Sequence, residues 1–488
     1  MTRWAKASRP PQQRKKAWPE PSGHLVLEDL RPSNREIKDM MRRTRKGVLA
    51  LSAAAAMLAA LAGGRASADG LGSAYDASKA GTKTLTVWWL GNQEIPGIED
   101  WMKESVELYQ KKYPNITVKT VLQPVDTYNT IQKTACKGGS GPDIWYNWGG
   151  VWSLELAWPG CTVANEDVLA PEDLKSVPTI QGTLWNGKTW VYPFELRMFP
   201  VVYNKELFKK AGLDPEKPPT TWPDFLAALQ KIKDSGTTPI VLGLKDGFGG
   251  EITGVGLQSQ VLTIPQFLQM VIDGDFKSDL WKSWLKRLVE LKPFYNDDTN
   301  STLLADGLAR FQEGEAAMVF ASPGYLQTVK AMTEAGKSVG VMKVPSFSET
   351  GLGGRIPIDT PGFQVTSFAA DKALAGNFLA FLHTPDRLEA LYKGSGTLPI
   401  DERWDTSKAV RATDGQLAKW HDDVVYYSAN YYPTDLDVNA NFVVFQGILG
   451  GDMTVDQAAQ TYEDVITKWR SVHAADIENY KAWLKSYK

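Results

Sequence analysis

Histidine is scarce in this chain, with four residues in 488, and cysteine is scarcer still, with two. No Cys-x-x-Cys pair or Cys/His cluster is present, so no familiar metal-ligand spacing can be read. The patterns HExxH and GxSxG are missing as well. Their absence removes the common signatures of a zinc protease and a serine hydrolase. No catalytic constellation and no cofactor is indicated. The longest apolar run, Val48–Ala62, is about fifteen residues, short of the ~20 that cross a bilayer as a helix.

That run has another reading. The basic stretch 41–47 (MRRTRKG) precedes it and Ala66-Ser67-Ala68 follows it. Basic, apolar, then A-x-A is the order of a secretory signal, with cleavage expected after Ala68 and a periplasmic destination. No cysteine sits at the cleavage point, so no lipid anchor is expected. Residues 1–40 are rich in proline and basic side chains and lack apolar periodicity. They are read as an upstream extension, with Met40 or Met41 the true start. Of 54 basic and 56 acidic residues, 14 and 5 fall before residue 69, which leaves 40 and 51 and a formal charge near −11. Such a balance argues against nucleic acid or an anionic membrane as partner. Cys136 and Cys161 both remain after cleavage, in an oxidising compartment, and a disulfide between them is expected.

About 420 residues remain, more than one core usually supports, so two lobes are expected. Residues 69–83 are read as a flexible leader. Thr84–Leu90 reads as a buried strand, Trp101–Tyr113 as a helix ending at Pro114, and Ile116–Leu122 as a second strand. The turn Gly141-Pro142-Asp143 leads into the strand Ile144–Trp148. Strands that alternate with helices indicate an α/β architecture. Residues 192–200 form a crossing, and Trp222–Lys233 is an amphipathic helix. The hundred residues after 244 are mainly helical, and strands return at Ala316–Ala321, Val339–Val344 and Phe363–Phe368. A chain of this order passes between its lobes more than once. One lobe is assigned 84–195 plus about 346–384, the other 200–345 plus about 385–488.

Seven segments carry a resemblance. They are WWLGN (88–92), KKYPNITV (111–118), GGSGPDIWYNW (138–148), the crossing YP…VVYNKELFKKAGL (192–213), PPTTWPDFLAALQKI (218–232), FQEGEAAM (311–318) and VGVMKVP (339–345). In this order they resemble family 1, maltose/oligosaccharide-type, solute-binding proteins of ABC importers. One departure is Gly324-Tyr325, where relatives usually carry a tryptophan. The resemblance implies a type II periplasmic-binding-protein fold of two discontinuous α/β lobes joined by a multi-crossing hinge. It implies a monomer that closes on a carbohydrate and delivers it to membrane permease subunits, without catalysis. A sugar presents C–H groups for aromatic faces and hydroxyls for donors and acceptors. The resemblance puts Asn92, Gln93, Asn147, Trp148, Trp152, Glu195, Arg197, Tyr325, Phe363, Tyr432, Asp435 and Asn441 near that ligand. A di- or oligosaccharide or a glycoside is expected. Asp143 is read as capping its turn. Trp88 and Trp89 face opposite sides of one strand, so one belongs in a core and the other toward the cleft.

Other readings use the same residues. Tyr426–Tyr427 and Tyr431–Tyr432 with His421, Asp422 and Asp423 resemble the phenolate set of ferric-ion-binding relatives, and a polyamine is a further non-sugar ligand. Asp435, Asp437 and Asn439 have the spacing of a calcium loop, but Ala440 and Gln446 stand where it needs glycine and glutamate, so no metal is assigned. A secreted carbohydrate hydrolase or lyase would need a carboxylate pair, for which Glu195 and Asp435 are the candidates.

Overall fold

The computed structural model describes residues 70–177, 183–321, 325–348, 350–409, 411, 413–420 and 423–487. The secretion signal, its cleavage point and the extension before it lie outside the described residues, as do Gly324, His421 and Asp422.

Alternation decides the first strand. In Lys83–Trp89, the side chains of Leu85, Val87 and Trp89 turn into a core, and Trp88 turns the other way. Trp88 is half-buried and packs against the cluster of Trp145, Leu156 and Cys161 as well as against the first core. This strand pairs in parallel with Ile116–Leu122 on one side and Ile144–Asn147 on the other. Gly362–Val365 and Tyr192–Pro193 extend the sheet in the antiparallel sense. The helix Ile98–Lys112 covers it with Ile98, Trp101, Met102 and Tyr109, carries Glu99 and Asp100 at its start, and ends in Lys111 and Lys112 before Pro114. That charge order suits the helix dipole, and the apolar stripe fixes the buried face.

The second sheet runs Val339–Met342, Val201–Asn204, Ala316–Phe320, Thr238–Ile240. Its core is larger and mostly helical, with Trp281, Trp284, Phe445 and Tyr462 at the centre. Between the two lies a three-stranded sheet made of the crossings themselves. Ile356–Asp359 pairs with Arg197–Met198 on one side and with Val424–Tyr426 on the other. The chain therefore passes between lobes three times, and the three passes are hydrogen-bonded to one another.

Two expectations need correction. The segment from Gly70 to Lys83 is not a loose leader. Asn377 Nδ2 donates to the carbonyls of Gly72 at 2.8 Å and Tyr75 at 3.0 Å, Ser73 N donates to Asp173 at 2.8 Å, and Ala77 is fully buried. Small residues let this strand of chain lie flat on its neighbours, which low apolar periodicity did not reveal. The second lobe also does not resume at residue 385. The helix Pro385–Ser395 packs on Ile98–Lys112, where Trp101 Nε1 donates to the Arg387 carbonyl at 2.7 Å and Arg387 pairs with Glu104 at 2.9 Å.

Cys136 and Cys161 are bonded, across 25 positions, beneath Trp145 and Phe368. Reducing the bond is expected to cost about 3 kcal/mol, from the loop entropy returned to the unfolded chain. Urea unfolding with and without a thiol reductant measures this, and an unchanged midpoint would show that the bridge contributes nothing to stability.

Candidate functional site

Arg197 stands on the first crossing and is 7% exposed. A guanidinium taken out of water needs its five donors occupied. Its Nε donates to Glu195 at 3.0 Å, its Nη1 to Glu94 at 2.5 Å, and its Nη2 to Glu195 and to the Tyr146 hydroxyl at 3.3 Å. Asp359, on the second crossing, holds a carboxylate oxygen 3.9 Å from Nη1. The other oxygen of Asp359 accepts from Asn430 Nδ2 at 2.8 Å, just beyond the third crossing. One cation thus faces three buried carboxylates from three segments. Burial pushes Glu195 up to about 7 despite Arg197, and burial raises Asp359 as well. Burial alone would lower Arg197, but Glu195, Tyr146 and Glu94 hold it well above its ordinary value.

A second acidic pair sits on the other lobe. Tyr427 donates to Glu251 at 2.8 Å, and Asn441 donates to Asp437 at 2.5 Å. Burial and their mutual repulsion raise Glu251, and burial raises Asp437. Asp359 lies close enough to Glu251 to add to its shift.

Against these acceptors stand two indoles. Trp148 and Trp152 are half-buried, with ring centroids 5.3 Å apart at 66°. Trp148 Nε1 donates to Glu94 at 2.9 Å, which ties the aromatic pair to the Arg197 network. Gly149 and Gly150 between them bring backbone against the second lobe. A side chain at Gly150 would meet the Asn430 carbonyl at 2.3 Å, and its φ of +60° suits glycine.

Raised carboxyls make a stability prediction. A carboxyl with a higher pKa in the fold holds an extra proton between its two values. Its contribution is therefore complete below about 4.5 for Glu195 and is lost as pH rises through about 7. His383 acts in the opposite sense, because burial lowers it, so its contribution is lost as pH falls below about 6.5. Comparing the wild type with Glu195→Gln removes the His383 part. The stability difference between them is expected to fall by on the order of 2–3 kcal/mol from pH 5 to pH 8. A flat difference in denaturant titrations would show that Glu195 titrates normally.

The predicted residues divide clearly. Trp148, Trp152, Glu195 and Arg197 are brought together. Asn92 and Gln93 are exposed and serve backbone, Asn92 accepting from Gly97 N at 2.9 Å and Gln93 from Val125 N at 3.3 Å. Asn147 is fully buried and committed to the Trp152 carbonyl and Gln364. Phe363 belongs to the first core, stacked on Phe194 at 5.5 Å. Tyr432 and Asn441 bond each other at 2.6 Å inside the second. Tyr325 is buried beside Arg411 and Asp414, and Asp435 is exposed. The four tyrosines divide, with Tyr426 and Tyr431 meeting edge-on at 6.4 Å. Tyr427 turns to Glu251, Tyr432 to Gln258 and Asn441, and Tyr431 stacks on Trp483. Sequence reading missed Glu94, Asp359, Asn430 and Glu251. Glu94 adjoins two chosen residues, and Glu251 is a lone acid in an apolar, glycine-rich helix, Phe248–Gln258.

Residues 95–387 match the family model described as bacterial extracellular solute-binding protein. This chain belongs to that family. Among relatives of this solute-binding protein, an ABC transporter extracellular-binding protein of Pyrococcus horikoshii is 22% identical over 347 residues, 67% of this chain and 75% of its own. The sn-glycerol-3-phosphate-binding periplasmic protein UgpB of Escherichia coli is 27% identical over 282 residues, 50% of this chain and 56% of its own. The solute-binding protein thus spans little more than half the length of UgpB. Among solved structures, a chitin oligosaccharide binding protein superposes with a TM-score of 0.70 at 18% identity, covering 80% of this chain and 99% of that one. The maltose/maltodextrin-binding domain MalE of Bdellovibrio bacteriovorus, bound to maltotriose, gives 0.62 at 16%, covering 80% and 100%. The fold is that of type II periplasmic binding proteins.

Proposed function

We propose that this chain is the capture component of a carbohydrate ABC importer. It closes two lobes on a sugar, a di- or oligosaccharide or a glycoside, and presents it to membrane permease subunits. The observation that carries the reading is the Trp148–Trp152 pair set beside the carboxylates around Arg197. Indole faces suit sugar C–H groups, and carboxylates accept from hydroxyls. The relatives' names support the same class, since one binds a chitin oligosaccharide and another maltotriose. Three hydrogen-bonded crossings suit a hinge, where small backbone changes swing whole lobes. The chain acts as a periplasmic monomer, without catalysis. Glu195 is committed to Arg197 while Asp435 is exposed, which gives no support to those two as a hydrolytic pair.

Thermal unfolding of residues 69–488 against mono-, di- and oligosaccharides, uronates, polyamines and ferric ion tests the reading. Ligand at 100 times its dissociation constant adds about 2.7 kcal/mol. The expected result is a shift with one sugar class and no product by chromatography. A shift with only iron or a polyamine would overturn the sugar assignment, and product formation would overturn the binding role.

A further inference from the structure

We infer that Glu251 and Asp437 form a subsite for a primary ammonium group, which rests on the carbohydrate reading above and narrows its ligand to an amino sugar. Seven aspartate and glutamate residues are buried among the described residues. Six of them face an arginine. Arg197 serves Glu94, Glu195 and Asp359, Arg403 lies 3.2 Å from Asp173 and 2.6 Å from Asp401, and Arg411 lies 2.9 Å from Asp414. The seventh is Asp437, and its partner is another acid. Glu251 and Asp437 share a hydrogen bond, so one of the two must hold a proton.

The titratable groups around the pair supply no cation. Tyr427 donates to Glu251 at 2.8 Å, Asp359 adds its own negative charge, and Tyr432 and Tyr462 face Asp437. Among the described residues, no lysine, arginine or histidine pairs with either acid. Burial raises both carboxyls, so the pair keeps its proton near neutral pH. A ligand ammonium would supply the charge that arginine supplies to the other six, and would release that proton. No three metal-ligating side chains converge among the described residues, so an organic cation suits the pair better than a metal ion.

A second observation adds a donor to these acceptors. Gln258 lies on the same helix as Glu251, two turns on and on the same face, and is fully buried. Its Oε1 accepts from Ser428 at 2.9 Å and from Tyr432 at 3.4 Å, while its Nε2 has no partner. The Tyr432 hydroxyl also accepts from Asn441 Nδ2, which donates to Asp437, so Gln258 borders the acid pair through one shared tyrosine. A free amide N–H beside two carboxyls matches a hydroxyl next to an ammonium, the pairing an amino sugar presents. Asp437 is 3% exposed but Glu251 is half-buried, which opens the pair on one side. Asp359 acts on both Glu251 and Arg197, and the Tyr427 ring lies 4.6 Å from Phe199 of the first crossing. The subsite is thus the second-lobe neighbour of the Trp148–Arg197 site.

Calorimetric titration at pH 6.5 tests the subsite, with glucosamine, galactosamine and a glucosamine trimer, each beside its N-acetyl form and its neutral parent sugar. An amine form is expected to bind at least ~30-fold tighter than its two counterparts. Only the amine should release about one proton, read by repeating the titration in buffers of different ionisation enthalpy, because an ammonium favours the ionised pair. Glu251→Gln and Asp437→Asn keep the shape of the side chains and should bring the amine to N-acetyl affinity ratio close to one. Thermal unfolding without ligand checks that each variant folds, and the wild-type proton count stands without them. A neutral or N-acetyl sugar that binds as tightly as the amine would overturn the subsite and leave the carbohydrate reading standing. So would amine binding without proton release, or a ratio unchanged in Glu251→Gln. Binding by none of the amino sugars also overturns the subsite, and spermidine bound in place of every sugar would overturn both readings.

Discussion

Replacing Arg197 with methionine is expected to lower the unfolding free energy by about 3–5 kcal/mol at pH 8, and by much less at pH 5. Methionine matches the length and apolar stem of arginine, so little packing is lost. What is lost is the sole cation among the described residues facing Glu94, Glu195 and Asp359, all within 7% exposure. At pH 8 the carboxylates must remain charged and unpaired or take up protons against the bulk. At pH 5 Glu195 is already largely protonated, since it sits at about 7 even with its partner present. Arg197→Lys separates charge from geometry, because an ammonium cannot serve Glu94, Glu195 and Tyr146 with a planar fork. It should recover part of the loss. Guanidinium titrations at both pH values measure the effect. Equal losses at pH 5 and pH 8 would mean that packing, not buried charge, makes Arg197 important.

The same cluster shows what a sequence can and cannot reveal. The strands 83–89, 116–122 and 144–147 and the crossing at 197–204 were legible because their apolar runs are short and bounded by clear breakers. Arg197 and Glu195 were legible because the family resemblance puts that part of the crossing against the cleft. Glu94 was missed by one position. Asn92 and Gln93 lie in a tight turn, Gly91–Gln93, and spend their side chains on nearby backbone, which leaves Glu94 to turn inward. Asp359 and Asn430 are 71 positions apart, and only sheet pairing between crossings joins them. The burial of Asn441 has a local cause. Asp437–Asn441 forms a π-helical turn, which shifts the face presented by every residue after it. Ordinary helical periodicity cannot anticipate that shift, and Asn441, at the end of the turn, is buried.

Alanine at both Trp148 and Trp152 is expected to weaken carbohydrate binding at least ~30-fold, or ~2 kcal/mol, the scale of a buried aromatic anchor. The fold should survive, because both rings are only half-buried and lean on the cores rather than filling them. The single phenylalanine variants divide the effect. Trp152→Phe keeps an apolar face and should retain most of the affinity. Trp148→Phe also loses the indole N–H that donates to Glu94 at 2.9 Å, which already receives Arg197 and Tyr146. Its affinity should fall further, because Glu94 is then left with one donor fewer. Calorimetric titration with whichever sugar raises the unfolding temperature reads all three variants. Unchanged affinity in the double alanine variant would move the site away from this pair. Equal losses in the two phenylalanine variants would show that only ring area matters, and that the Arg197 network acts on the hinge rather than on the sugar.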